Sequence, residues 1–174
     1  MFVPEEAPLT LPTFESLDHP DSLYNRLAAC VPHPDPACCR TEWQFSFHEA
    51  FLPDRQLVFR STEDSLLGLA GYVHPQLGPV LEPIESHWLF GCPLLGRSSV
   101  ELLASLLQEV PFRRTRPTVA LSGVLAQGDL WQAVLRTFGK DHEIRLARPA
   151  LFRSASLEGG VDGYLSRRPG NHRP

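Results

Sequence analysis

At Pro53 the spacing of apolar residues changes, and that change restricts the fold of this chain more than any other feature of it. Upstream, apolar side chains recur at the three- and four-residue intervals of a helix. Leu23, Leu27 and Cys30 form one stripe, with Asp18 and Pro20 as its start signal. Trp43, Phe47 and Phe51 form a second, with Ala50 beside them, Thr41 in front and Pro53 behind. Downstream the period falls to two. Residues 57–59 and 66–73 read as short strands, and the polar residues 61–65 between them have hairpin length, which predicts an antiparallel pair. A chain that carries both periods side by side packs helices on a sheet.

The rest of the chain alternates. A loop with Pro75, Gly78, Pro79 and Pro83 leads to a third strand expected at residues 87–90. Ser98 or Ser99 then caps a helix with Glu101 in its first turn, Leu102, Leu103, Leu106, Leu107 and Val110 as its buried stripe, and Pro111 as its stop. Residues 118–121 read as a buried strand. Asp129 caps a helix over 130–138, where Leu130, Trp131, Val134, Leu135 and Phe138 share one side and Gly139 closes the end. Residues 142–147 and 150–152 are expected to be closing strands, and 161–168 a short helix. The crossover between about residue 87 and residue 121 implies a parallel pair. The expectation is therefore an α/β (α+β) fold: a central mixed sheet with helices on both faces, preceded by an arm over 1–17, filling 18–158 and followed by a connector over 159–174.

Composition excludes several classes. At 43% hydrophobic and 21% charged residues the chain is globular, and 174 residues support one core. The longest apolar stretch, residues 65–73, is far short of the roughly 18 to 20 a bilayer span needs, so no membrane span is expected. The N-terminus lacks the basic and apolar regions of a secretory signal, which predicts a cytoplasmic chain. Arginines cluster at Arg113, Arg114 and Arg116 and at Arg167, Arg168 and Arg173, yet a net charge of −4 makes a poor duplex binder, and no nucleic-acid partner is expected.

Cys30, His33, Cys38 and Cys39 carry the ligand chemistry of zinc. Their spacing includes no Cys-x2-Cys or His-x3-His unit, and Pro32, Pro34 and Pro36 stiffen the segment, so reduced thiols in a connecting loop and no metal are expected. Cys92, with no vicinal cysteine, reads as a packed or pocket-edge thiol. No serine stands in a Gly-x-Ser-x-Gly elbow, and no His-Glu-x-x-His helix is present.

The order of elements resembles that of the GNAT acyltransferases. Three stretches carry a closer likeness to the first half of bacterial CelD-like double-GNAT proteins. Trp88-Leu89-Phe90-Gly91-Cys92-Pro93-Leu94-Leu95 looks like a strand ending in a glycine and a turn. Thr118 to Val124 followed by Asp129 to Leu135 is similar to the family's next strand and helix. Val161 to Arg168, with Asn171 and Arg173, resembles the helix that leads into its second domain.

This resemblance implies acyl transfer from acyl-CoA to an amine or hydroxyl of a small-molecule acceptor. No cofactor is expected to be tightly bound; acetyl-CoA or another acyl-CoA is the ligand the family implies. The family's Gln/Arg-x-x-Gly-x-Gly/Ala turn corresponds to Pro93-Leu94-Leu95-Gly96-Arg97-Ser98, so Gly96, Arg97, Ser98 and Ser99 are the implied cofactor-binding residues. Pro93 lacks an N–H and the last glycine is absent, and an ordinary loop with a serine cap accounts for the same residues. The family's tyrosine acid falls at Leu135, which has no proton to give. Little or no transfer is therefore expected from this chain alone. It would act as a half-enzyme beside a second GNAT-like domain, or as a non-catalytic module that associates with itself or a partner through a sheet edge or the Trp43/Phe47 face.

Overall fold

The computed structural model describes residues 22–30, 35–149 and 158–166, and the chain forms two compact units, Met1–Ile144 and Arg145–Pro174. The first unit holds a mixed sheet. Strand β1 (Gln56–Ser61) pairs antiparallel with β2 (Ser65–His74), Gln56 opposite Gly71 and Ser61 opposite Leu66. The Thr62 N–H donates to the Ser65 carbonyl at 2.9 Å and closes the expected hairpin.

On its other side β2 meets two short strands in line. Strand β3 (Gly78–Pro83) pairs with its second half, from Pro83 opposite Leu69 to Gly78 opposite His74, and β4 (Leu94–Gly96) pairs with its first residues, from Leu94 opposite Leu67 to Gly96 opposite Ser65. Both run antiparallel to β2. Because β1 occupies the opposite side, β3 and β4 are one lane of the sheet, interrupted. The Gly68 N–H donates to the Pro93 carbonyl at 3.0 Å, so Pro83 and Pro93 mark the two exits, and residues 84–92 leave the ladder between them. Proline suits an exit because it has no N–H to give the ladder.

From β4 the chain enters α3 (Ser99–Gln108), then α4 (Val110–Thr115), and returns as β5 (Thr118–Val119), parallel to β3 with Val80 opposite Thr118. Two helices precede the sheet, α1 (Leu23–Cys30) and α2 (Thr41–Phe51), with a 3-10 turn, Ala37–Cys39, between them. Helix α5 (Asp129–Phe138) follows β5. The second unit contains α6 (Gly160–Ser166).

The core forms where β2 is covered on both faces. Leu66, Leu67, Leu69 and Ala70 are all fully buried, a run in which both alternating sets point into protein. Leu94, Leu95, Val100, Leu103 and Leu106 join from β4 and α3, Tyr24 and Ala28 from α1, Phe45 from α2, and Val134 and Phe138 from α5. Each such leucine contributes about 1.5–3 kcal/mol of transfer free energy. Asn25 ties the first two helices together. Its Oδ1 accepts the Thr41 N–H and its Nδ2 donates to Thr41 Oγ1, both at 2.9 Å, which satisfies the first backbone N–H of α2. At the far corner Arg60 of β1 makes a two-pronged ion pair with Glu109, at 2.9 and 2.7 Å.

The fold is thus a mixed sheet with packed helices, as expected, and several element boundaries differ. Residues 87–90 are not a strand: they lie at the top of the loop expelled from the β3–β4 lane, and the direct passage from sheet to helix occurs at Leu94–Gly96. Pro111 stops α3 and also starts α4, where its missing N–H costs nothing. The expected strand 118–121 is reduced to Thr118–Val119, prolonged only by the Ala120 N–H donating to the Leu81 carbonyl at 2.8 Å. Gly128, not Asp129, holds the N-cap position of α5. Among the described residues, 142–147 pair with no strand, and all but Ile144 are exposed. Asp18, Pro20, residues 150–152 and the arginines after Ser166 lie outside the described residues.

Candidate functional site

The four implied cofactor-binding residues share one turn. Gly96 has φ +88, the left-handed region that glycine enters at least cost, and a Cβ there would run into the Asp64 carbonyl and Ser65. The Ser98 N–H donates to Ser65 Oγ at 2.8 Å, and the buried Ser99 hydroxyl donates to the Gly96 carbonyl at 3.0 Å. Two groups that would face a pyrophosphate are thus engaged inside the protein. Nearby, the Thr62 and Ser65 hydroxyls hold the Asp64 carboxyl below its usual range, with a smaller contribution from Arg97. A phosphate at this turn would meet that carboxylate, and Glu101 in the first turn of α3 adds a second negative charge. Leu135 lies half-buried on α5 and offers no acid.

The cysteines divide by burial. Cys30 is exposed, whereas Cys38, Cys39 and Cys92 are buried. The Cys92 N–H donates to Cys39 Sγ at 3.2 Å, which binds the expelled loop to the 3-10 turn. Burial pushes the Cys39 thiol up to about 11 and those of Cys38 and Cys92 up to about 12, so all three are protonated at neutral pH and poor nucleophiles. Among the described residues no group of three or more His, Cys, Asp or Glu side chains is placed to hold a metal ion; His33 lies outside them. Among the described residues, too, no helix is long and apolar enough to cross a membrane.

The loop over residues 84–92 is built differently from an ordinary surface loop. Glu85 at its base is fully buried, and its carboxylate accepts the backbone N–H groups of Trp88 at 2.6 Å, Leu89 at 3.3 Å and Phe90 at 3.2 Å. Glu85's own N–H donates to Gln44 Oε1 at 2.9 Å, while Gln44 Nε2 donates to the Cys38 carbonyl at 2.6 Å. At the other end the Ser122 hydroxyl donates to the Gly91 carbonyl. Gly91 sits so close to α2 that a Cβ would strike Gln44 Nε2 and the Cys38 carbonyl. Bound at both ends, the loop holds Leu89 at φ +58, a conformation a leucine rarely adopts and one that costs about 1–3 kcal/mol.

That construction sets Trp88 on the outer face of α2. Helix α2 buries Phe45 against Phe59 of β1 and Gln44 against the base of the loop, and carries Trp43, Phe47 and Phe51 on another side. Trp88 lies 5.6 Å from Trp43, 5.7 Å from Phe47 and 6.1 Å from Phe51, ring centre to ring centre, and His87 packs edge-on to Phe47 at 5.1 Å. Phe47 is covered, but Phe51, Trp88, Leu89 and Phe90 are each about half exposed and Trp43 a third. Between them lies an open hollow of about 200 Å³ lined by Glu42, Trp43, Ser46, Phe47, Phe51 and Trp88. The sequence signals the Trp43/Phe47/Phe51 stripe. It does not signal Glu85 or Gln44, which acquire their roles only through contacts made across the fold; the bracketing Pro83 and Pro93 were the one local clue. No family model, no curated protein and no solved structure matches the chain.

Proposed function

We propose that this chain is a non-catalytic binding domain on a GNAT-like framework, and that its working surface is the aromatic hollow between α2 and the expelled loop. The observation that carries this reading is the Glu85 clamp. A buried carboxylate and a left-handed leucine are costly features. Here they hold Trp88, Leu89 and Phe90 half exposed beside Trp43 and Phe51, where a plain continuation of the β3–β4 lane would have needed neither. Support for the GNAT-like framework is the passage from β4 through the Gly96 turn into α3 and back as a strand parallel to β3.

A polarity-sensitive dye such as bis-ANS tests the working surface. The folded chain should bind it, and Phe51→Ser, which alters a half-exposed side chain, should lower binding several-fold with the circular dichroism unchanged. Equal dye binding by both proteins would contradict the proposal.

The second reading, the half-enzyme that binds acetyl-CoA or another acyl-CoA beside a second GNAT-like domain, is favoured by the glycine turn and Arg97 at the start of α3. If it held, acetyl-CoA at 100 times its Kd would stabilise the chain by about 2.7 kcal/mol. The engaged Ser98 N–H and the Asp64 carboxylate lead us to expect no thermal shift and no turnover by the isolated chain at an ordinary enzymatic rate, of order 1 s⁻¹.

A further inference from the structure

Four aromatic rings and one carboxylate around a small hollow define a ligand chemistry. Trp88 meets Phe47 at 71° and Phe51 at 88°, so these walls form corners and not a flat stack. A corner between two such rings is bounded by ring faces, and an aromatic face carries the negative part of the ring's quadrupole. On the rim stands Glu42, whose carboxyl is held below its usual range by its own backbone N–H and by Arg40, so it is ionised at neutral pH. The exposed Arg40 guanidinium lies 2.8 Å from it and offsets part of its charge. At about 200 Å³ the hollow is smaller than the roughly 300–1,000 Å³ of drug-sized sites, a size for one headgroup. A primary ammonium keeps its water at so open a site, whereas a methylated one sheds it easily and offers both apolar surface and charge.

We propose that this hollow binds a quaternary ammonium group of the choline type, carried by a small soluble molecule. The proposal rests on the binding-domain reading above and names the ligand of the same surface. Trp43 and Trp88 supply the main faces, Phe47 and Phe51 the remaining apolar wall, and Glu42 the fixed negative charge. The chain's net charge of −4 is of the same favourable sign.

The test is a titration of the full chain with choline, followed by tryptophan emission, beside the same titration with 3,3-dimethyl-1-butanol, the uncharged isostere in which carbon replaces the quaternary nitrogen. Choline should saturate in the millimolar range and bind at least about fivefold more tightly than the isostere. Glu42→Gln should weaken choline binding by about two- to fivefold and leave the isostere unaffected, and Arg40→Gln should tighten choline binding, because each changes the exposed charge at the rim alone. Both variants lie on the surface, so they test the idea even if Trp88→Ala disturbs the loop. Equal binding of the two compounds would overturn the ammonium proposal and leave an apolar binding surface standing. Binding of neither would overturn both. Emission changes with phosphatidylcholine vesicles but not with free choline would overturn the assignment to a soluble ligand.

Discussion

Replacing Glu85 perturbs the feature on which the candidate site depends, and the size of the effect follows from its contacts. The carboxylate accepts three backbone N–H groups, each a bond to a charged group worth about 1.5–3 kcal/mol. Two terms reduce the gross sum. Trp88, Leu89 and Phe90 are half exposed, so water can take up the released donors, and removing the side chain also removes the cost of keeping a carboxylate fully buried. A net loss of about 3 kcal/mol is expected for Glu85→Ala. Glu85→Gln keeps one acceptor oxygen but turns an NH2 group toward a former donor, for a loss of about 2 kcal/mol. In a chain of this length 1 kcal/mol moves the melting temperature by about 2–4 °C, so Glu85→Ala should melt about 6–12 °C lower. Urea unfolding should be followed by both circular dichroism and tryptophan emission, since release of Trp88 from Phe47 and Phe51 should shift emission before the helices are lost. A Glu85→Ala protein that melts within 2 °C of the parent chain with unchanged emission would refute the clamp.

Gly91→Ala should cost about 2–4 kcal/mol and disturb the same loop, because its Cβ meets Gln44 and the Cys38 carbonyl; a urea midpoint equal to the parent's would count against the close packing. His48 is buried with its Nδ1 lacking a hydrogen-bond partner among the described residues, and burial, aided by Arg55 and opposed by Glu49, lowers its pKa. The unfolded chain therefore binds this proton more readily than the folded one, so stability is full above about pH 6.5 and declines as pH falls below it. Denaturation at pH 7.5 and pH 5.5 should show this decline in the parent chain and a smaller one in His48→Gln; equal declines would exclude His48 as the source. A thiol reagent should modify Cys30 alone among the four cysteines of the folded chain and all four in urea, and rapid modification of Cys38, Cys39 or Cys92 before unfolding would contradict their burial.

Local signals mark α2, α3, α5 and the first hairpin, because each rests on a periodic stripe such as Trp43/Phe47/Phe51 in α2 or Leu102/Leu103/Leu106 in α3, or on the alternation broken by a polar turn at residues 61–65; the short helix α4 carries no such stripe. The third lane of the sheet is not legible in local sequence, for a physical reason. The run from His87 to Phe90 has the aromatic, apolar composition of a buried strand, but its backbone N–H groups bond to Glu85 and not to β2. Composition reports that apolar side chains are present and does not report which acceptor their backbone finds. Conversely, Gly78–Pro83 looked like a loop because of its two prolines and glycine, yet Pro79 and Pro83 fit a lane that meets β2 on one side and a two-residue strand on the other. The glycine and serines at 96–99 mark a turn into a helix, whereas the occupation of that turn by Ser65 depends on a residue more than thirty positions upstream in the chain.

The aromatic hollow depends most directly on the backbone amides of Trp88, Leu89 and Phe90, and hydrogen exchange measured residue by residue reports on them. Although these side chains are half exposed, Trp88 and Phe90 should exchange orders of magnitude more slowly than free peptide amides, and Glu85→Ala should abolish that protection while leaving the β1–β2 ladder protected. Exchange of both amides at free-peptide rates in the intact chain would show that the loop is not clamped and that the aromatic hollow is not a fixed feature of the fold.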